Sequence, residues 1–405
     1  MTESGPHKWA FKARLRRHAF GWRSQPAIER VRQAVAEIKK VARKDPVVAA
    51  EGAVAFLERI SPAIEHVDGS SGAIGSVVNN AIAELVPVIA NAPADPKIRA
   101  GWLERLFEAH AEDQIPYIES LADHWGELCA SKEVASEWAD RLIGITRMAL
   151  SPEESARGCF HGTTMCLTAL YAAGRYDELL DLLDTESFWP YKRWAVKALA
   201  AQGKKAEAIR LAEASRSPWA GDWDIDRACE DMLLSSGMVD EAYARYGPKA
   251  NGGGTYLATF RAVARKYAHK STSDILADLV KTTPGDEGKW FAAAKDAGLF
   301  DEALALAART PCDPKTLTRA ARDYAGSQPA FALGAGLLAL YWLAHGCGYE
   351  ITSADVWAAY LSTMKVAEQM GKAGQVRQDI RRMATSVEPG ANFVARILDR
   401  ELGLP

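Results

Sequence analysis

Apolar residues recur at intervals of three and four along almost the whole chain, and β-branched residues nowhere alternate with polar ones over a useful length. That is the period of amphipathic helices, and it predicts an all-α fold. The clearest case is 27–44, where Ile28, Val31, Val35, Ile38 and Val41 form one apolar stripe. Arg30, Arg32, Lys39, Lys40, Arg43 and Lys44 flank it, and Pro46 ends the run. Further helices are expected near 47–60, 74–89, 96–110, 114–130 and 132–149, with a turn-rich break at 68–72. Ser151, Pro152, Glu153 and Glu154 read as an N-cap, a proline at the first helical position and acids in the first turn. Beyond Pro314 the pattern predicts helices near 315–325, 329–345, 352–371 and 373–385, and a last one from Gly390. The apolar part of the longest uncharged stretch, 331–344, falls short of the roughly 20 residues that a bilayer requires, so a buried helix is expected there.

An internal repeat emerges in the second half. Gly174, Gly203, Gly237 and Gly298 are each followed four residues later by a glutamate, at Glu178, Glu207, Glu241 and Glu302. Leu179, Ala208, Ala242 and Ala303 come next. The glycines are 29, 34 and 61 residues apart, and a degenerate copy at 270–276 fills the long interval. Glycine ends one helix with a positive φ, the acid favours the positive end of the next helix dipole, and the small residue lets two helices approach.

Gly174-Arg175-Tyr176 and Gly298-Leu299-Phe300, the latter followed by Asp301, Glu302 and Ala303, carry a resemblance to the tetratricopeptide family over about 160–310. The resemblance implies helix-pair repeats forming an α-solenoid with a groove that binds peptides or proteins. The segments expected are a basic aromatic arm (1–26), an N-terminal helical region (27–150), tetratricopeptide-like repeats (151–313) and a C-terminal helical cap (314–405).

Charge refines this picture. The net charge is only -3, but residues 1–45 hold 12 Lys/Arg against 4 Asp/Glu, and the other 360 residues hold 37 against 48. Such a split marks an interaction arm, or an arm that docks on its own acidic body. Six cysteines, widely spaced behind an N-terminus with no signal-peptide pattern, read as reduced core residues of a cytoplasmic protein.

Candidate chemistry is sparse. In the arm, Lys8, Lys12, Arg14, Arg16, Arg17 and Arg23 interleave with Trp9, Phe11, Phe20 and Trp22, a mixture suited to phosphates and stacked bases. Its alternative is a helix whose rings pack on the body while its charges are solvated. Trp189, Tyr191, Trp194, Trp219 and Trp223 fit either partner anchors in a groove or inter-repeat packing. Cys159, His161 and Cys166 lack a fourth ligand nearby for zinc, and core packing is the plainer reading of Cys166. The run 247–255 precedes a helix with Arg261, Arg265 and Lys266, but it lacks the ending of a phosphate-binding loop. No catalytic, cofactor or metal motif stands out. The expected function is a non-enzymatic protein-protein interaction scaffold, and the alternative is a nucleic-acid-associated protein that uses the basic arm; no membrane span is expected.

Overall fold

The computed structural model describes residues 7–151, 153, 158–217 and 222–404. Among them are 23 α-helices, two 3-10 turns and no strand, which makes the protein all-α. The chain forms two compact units that divide between residues 220 and 221, inside the segment expected to hold the repeats. The first holds α1 (Ala10–Arg14), α2 (Ser24–Ala42), α3 (Pro46–Ile64), α4 (Ala73–Ala90), α5 (Pro96–Ala111) and α6 (Trp125–Leu128). It continues with α7 (Lys132–Ala149), α8 (Thr163–Ala173), α9 (Tyr176–Leu182), α10 (Trp189–Ala201) and α11 (Lys205–Ala214). The second begins with α12 (Asp222–Leu234), α13 (Val239–Arg245), α14 (Gly247–Ala250), α15 (Tyr256–Lys266), α16 (Thr272–Lys281) and α17 (Phe291–Asp296). It ends with α18 (Phe300–Arg309), α19 (Pro314–Asp323), α20 (Pro329–Ala344), α21 (Ser353–Gln369), α22 (Ala373–Ala384) and α23 (Ala391–Leu402).

Local chemistry explains where many helices start. Asp45, Asp95 and Asp313 each precede a proline at the first helical position, and each carboxylate accepts a backbone N–H of the first turn. The aspartate satisfies an orphan donor, and proline sacrifices an N–H that had no partner. The helix expected at 114–130 is instead a 3-10 turn at Glu119–His124 followed by the four residues of α6. Gly126 explains the tight fit of α6 on α8, because a Cβ there would stand 2.3 Å from the Thr168 carbonyl oxygen. The start expected at Ser151 falls mostly outside the described residues, and the next helix begins at Thr163.

The four repeat glycines behave alike. Gly174, Gly203, Gly237 and Gly298 have φ of 77°, 81°, 76° and 75°. In each turn the following residue donates its N–H to the carbonyl five positions back: Arg175 to Leu170, Lys204 to Leu199, Met238 to Leu233, Leu299 to Ala294. This is the Schellman closure of a helix C-terminus. The pairs α8–α9, α10–α11, α12–α13 and α17–α18 pack across these turns. The same closure ends α20 at Gly346 and α21 at Gly371.

In the first unit α2, α3 and α4 pack on one another around Ile38, Phe56, Ile60, Val78 and Ile82, all buried. Helix α4 is long and apolar enough to cross a membrane by composition, yet it turns Ile74, Val78, Ile82, Leu85 and Ile89 to this core and Ser76, Asn79, Asn80 and Glu84 outward. In the second unit α20 is the central helix, with Phe331, Leu340 and Leu343 buried among α18, α19, α21, α22 and α23.

Candidate interface on the N-terminal helices

The arm is sewn to the body by its apolar side. Trp9, Phe11 and Leu15 are 5%, 4% and 1% exposed. The Trp9 indole lies over Gly52 of α3, where a Cβ would come within 2.2 Å of the ring, and Phe11 meets Phe56 edge-on at 6.0 Å. Burying three such side chains contributes about 1.5–3 kcal/mol each. Backbone contacts hold the rest: Ala10 N–H donates to Glu37 Oε1 at 2.9 Å, His18 N–H to the Pro62 carbonyl at 2.9 Å, and Asp68 N–H to the Trp22 carbonyl at 2.9 Å. His18 stacks on His66 at 4.5 Å.

Its charges point the other way. Lys8, Arg14, Arg16, Arg17 and Arg23 are exposed and Lys12 is half-buried. Of the twelve cations in residues 1–45, only Lys39 reaches a carboxylate among the described residues, Glu84 at 2.6 Å. Arg14 and Arg30 instead both donate to the amide oxygen of Gln33, at 3.3 and 2.7 Å. The two guanidinium groups thus share one neutral acceptor. Arg32 and Lys40 on α2, and Arg43 and Lys44 just past its end, are exposed beside them. The sequence pattern put these four on the flanks of the apolar stripe. Their lack of partners could have been read from the scarcity of acids in α2, where Glu29 and Glu37 are the only ones.

The aromatic rings proposed for stacking divide. Trp9 and Phe11 are core residues, Phe20 is half-buried, and Trp22 alone is freely available at 72% exposure.

The second aromatic group is not assembled into one exposed surface. Trp189 and Trp194 are buried at 6% and 5%, Tyr191 is half-buried, and Trp219 lies outside the described residues. Trp194 packs beside Tyr171 at 5.6 Å, with the Lys197 ammonium 3.9 Å from its ring centre. Trp223 belongs to the second unit, 42% exposed under the Arg227 guanidinium. Phe188, which the sequence pattern did not single out, is 54% exposed and meets Tyr191 edge-on.

The remaining candidates resolve locally. Cys166 is buried and its thiol pushed up to about 11 by burial, whereas Cys159 and His161 are exposed, and no cluster of three metal-capable residues occurs among the described residues. None of the six cysteines forms a disulfide. Burial also pushes Cys129 and Cys312 up to about 12, and four of the six lie in the core, while Cys159 and the half-buried Cys347 do not. After the glycine-rich run, Thr255 caps α15 by accepting the Ala258 N–H, Arg261 pairs with Asp296 and Lys266 with Glu230, while the exposed Arg265 meets no carboxylate among the described residues.

Compared with protein-family models, curated proteins and solved structures, the chain matches none.

Proposed function

We propose that this protein is an interaction scaffold that engages an acidic protein partner through the basic face of α1 and α2. The observation that carries the reading is a set of eleven Lys and Arg in residues 1–45 that meet no carboxylate among the described residues, nine of them exposed, on α2 and on the arm that Trp9, Phe11 and Leu15 anchor. A fixed array of unneutralised charge steers and selects an oppositely charged partner at little folding cost. The burial of Trp9 and Phe11 favours a protein over nucleic acid, since base stacking needs free ring faces.

The helix pairs are read as tetratricopeptide-like repeats of an α-solenoid, which supply a rigid support for that face. Support comes from the four identical glycine turns and from first-turn acids at Glu178, Glu207, Glu241 and Glu302. A cytoplasmic site of action suits six cysteines without a disulfide, and the polar outer face of α4 suits a core helix rather than a span.

Binding of labelled polyglutamate and of single- and double-stranded oligonucleotides is the test, with the full chain and an Arg14→Glu/Arg16→Glu/Arg17→Glu/Arg32→Glu/Arg43→Glu variant at low and physiological salt. Polyglutamate bound by the full chain and lost in the variant is expected. Oligonucleotides bound with a steep salt dependence, and polyglutamate not bound, would replace this reading with a nucleic-acid one, which Trp22 beside Arg23 favours. Charge reversal is preferable to removal of 1–26, which would uncover the core beneath Trp9 and Phe11.

A further inference from the structure

Between α2 and α4 runs a groove of about 630 Å³ whose two walls differ in charge. Val31 and Val35 from α2 and Val77 and Ala81 from α4 form its floor. One wall carries Arg32, Lys39, Lys40 and Arg43; the other carries Asn80 and Glu84. Arg32, Lys40 and Arg43 are exposed and meet no carboxylate among the described residues, while Lys39 reaches across to Glu84 with both side chains about half exposed (53% and 46%). An exposed pair of that kind is worth at most about 1 kcal/mol and yields easily to a competing carboxylate.

The cationic wall has a helical repeat. Arg32, Ala36, Lys40 and Arg43 follow one another by four, four and three positions along one ridge of α2. The smallest side chain stands in the middle, where a partner backbone could come closest. From Arg32 to Arg43 the ridge rises about 16 Å, three turns of a docked helix.

Resting on the reading given above, we infer that this groove docks an acidic amphipathic helix of a protein partner, its carboxylates along the Arg32–Arg43 wall and its apolar edge on the valine floor. Charge complementarity selects this occupant. A nucleic-acid strand finds no aromatic ring in the lining on which a base could stack. A lipid chain needs a deep apolar channel, and this floor is closed, with Val31 and Ala81 only 1% and 2% exposed. A helix with one acidic edge and one apolar edge matches a groove with one cationic wall and a methyl floor.

The test uses fluorescence anisotropy with the full chain and two labelled peptides of about 18 residues, five helical turns. One has glutamates along one edge and leucines along the adjoining edge; the other has the same composition, shuffled to destroy the edges. Three variants, checked for an unchanged unfolding temperature, complete the set: Arg32→Glu/Lys40→Glu/Arg43→Glu on the wall, Asn80→Trp to fill the groove without changing charge, and Arg14→Glu/Arg16→Glu/Arg17→Glu on the arm. The expected result is that the amphipathic peptide binds about tenfold or more tighter than the shuffled one, that the wall and Asn80→Trp variants each remove about that factor, and that the arm variant does not. Equal binding of both peptides, or a loss confined to the arm variant, overturns the groove while leaving the basic-face reading in place. Failure of the full chain to bind either peptide or polyglutamate overturns both.

Discussion

Two basic stretches of this protein use the same side chains in opposite ways. In the second unit, Arg245, Arg261, Lys266, Lys270, Lys281 and Lys289 each meet a carboxylate, so their charge is spent on joining one helix to itself or to a neighbour. In α1 and α2 every Lys and Arg except Lys39 lacks a carboxylate partner among the described residues, and the work of attachment falls to Trp9, Phe11 and Leu15. The difference separates structural charge from available charge. Composition alone gives the two stretches the same basic residues, and only their neighbours distinguish them.

The largest expected effect breaks the paired side of this comparison. Glu230 is fully buried and accepts hydrogen bonds from Asn251 Nδ2 at 2.7 Å, Lys266 Nζ at 2.6 Å and the Tyr267 hydroxyl at 2.5 Å. Glu230→Ala removes the acceptor shared by three donors, leaves the buried Tyr267 hydroxyl without it, and should lower the stability of the second unit by about 3–5 kcal/mol in denaturant unfolding. A loss below about 1 kcal/mol would mean that this pairing is not structural.

The attachment of the arm comes next. Gly52→Ala drives a methyl into the Trp9 indole and should cost about 1–3 kcal/mol, with faster amide hydrogen exchange at 9–15 as the local signature. Unchanged exchange would show that Trp9 does not anchor the arm.

A pH test follows. His110 is 5% exposed with Nε2 lacking a partner, and burial depresses its pKa below the ordinary 6.5, against the opposing influence of the Glu119 backbone and the Asp113 carboxylate. The unfolded chain therefore binds the proton more readily. Its contribution is fully present above pH 6.5 and is lost as pH falls from there toward the depressed folded value. The unfolding temperature of the native chain should drop between about pH 7 and pH 5 more than that of His110→Phe. Parallel pH profiles would contradict this.

The smallest effect on stability belongs to the unpaired side. Arg16→Glu/Arg17→Glu should change folding stability by no more than about 0.5 kcal/mol, because both residues are exposed and neither side chain has a partner among the described residues. A larger loss would place those cations in the structure rather than at its disposal.

Much of the fold was legible in local chemistry. The helices at 132–149 and 314–402 lie within two or three residues of where periodicity and prolines put them, although Pro46, read as the end of one helix, also opens the next behind the Asp45 cap. The 114–130 stretch failed because its six residues from Glu119 close as a 3-10 turn against α4 and α8, a tertiary demand that periodicity does not record. The aromatic group divides for a related reason. Spacing places Trp189 and Trp194 on a helix, but burial decides that they are packing residues, and the unit boundary separates them from Trp223.

The sequence by itself determined the all-α class, the four glycine turns and the excess of positive charge in the first 45 residues, because each depends on residues within one turn of each other. Tertiary structure alone decided which rings and cations remain available. Gly52 makes room for Trp9, Phe56 receives Phe11, and no carboxylate from α3 or α4 rises to meet Arg32, Lys40 or Arg43. Those outcomes turn on residues far apart in the chain, and distance in space is what local pattern cannot encode.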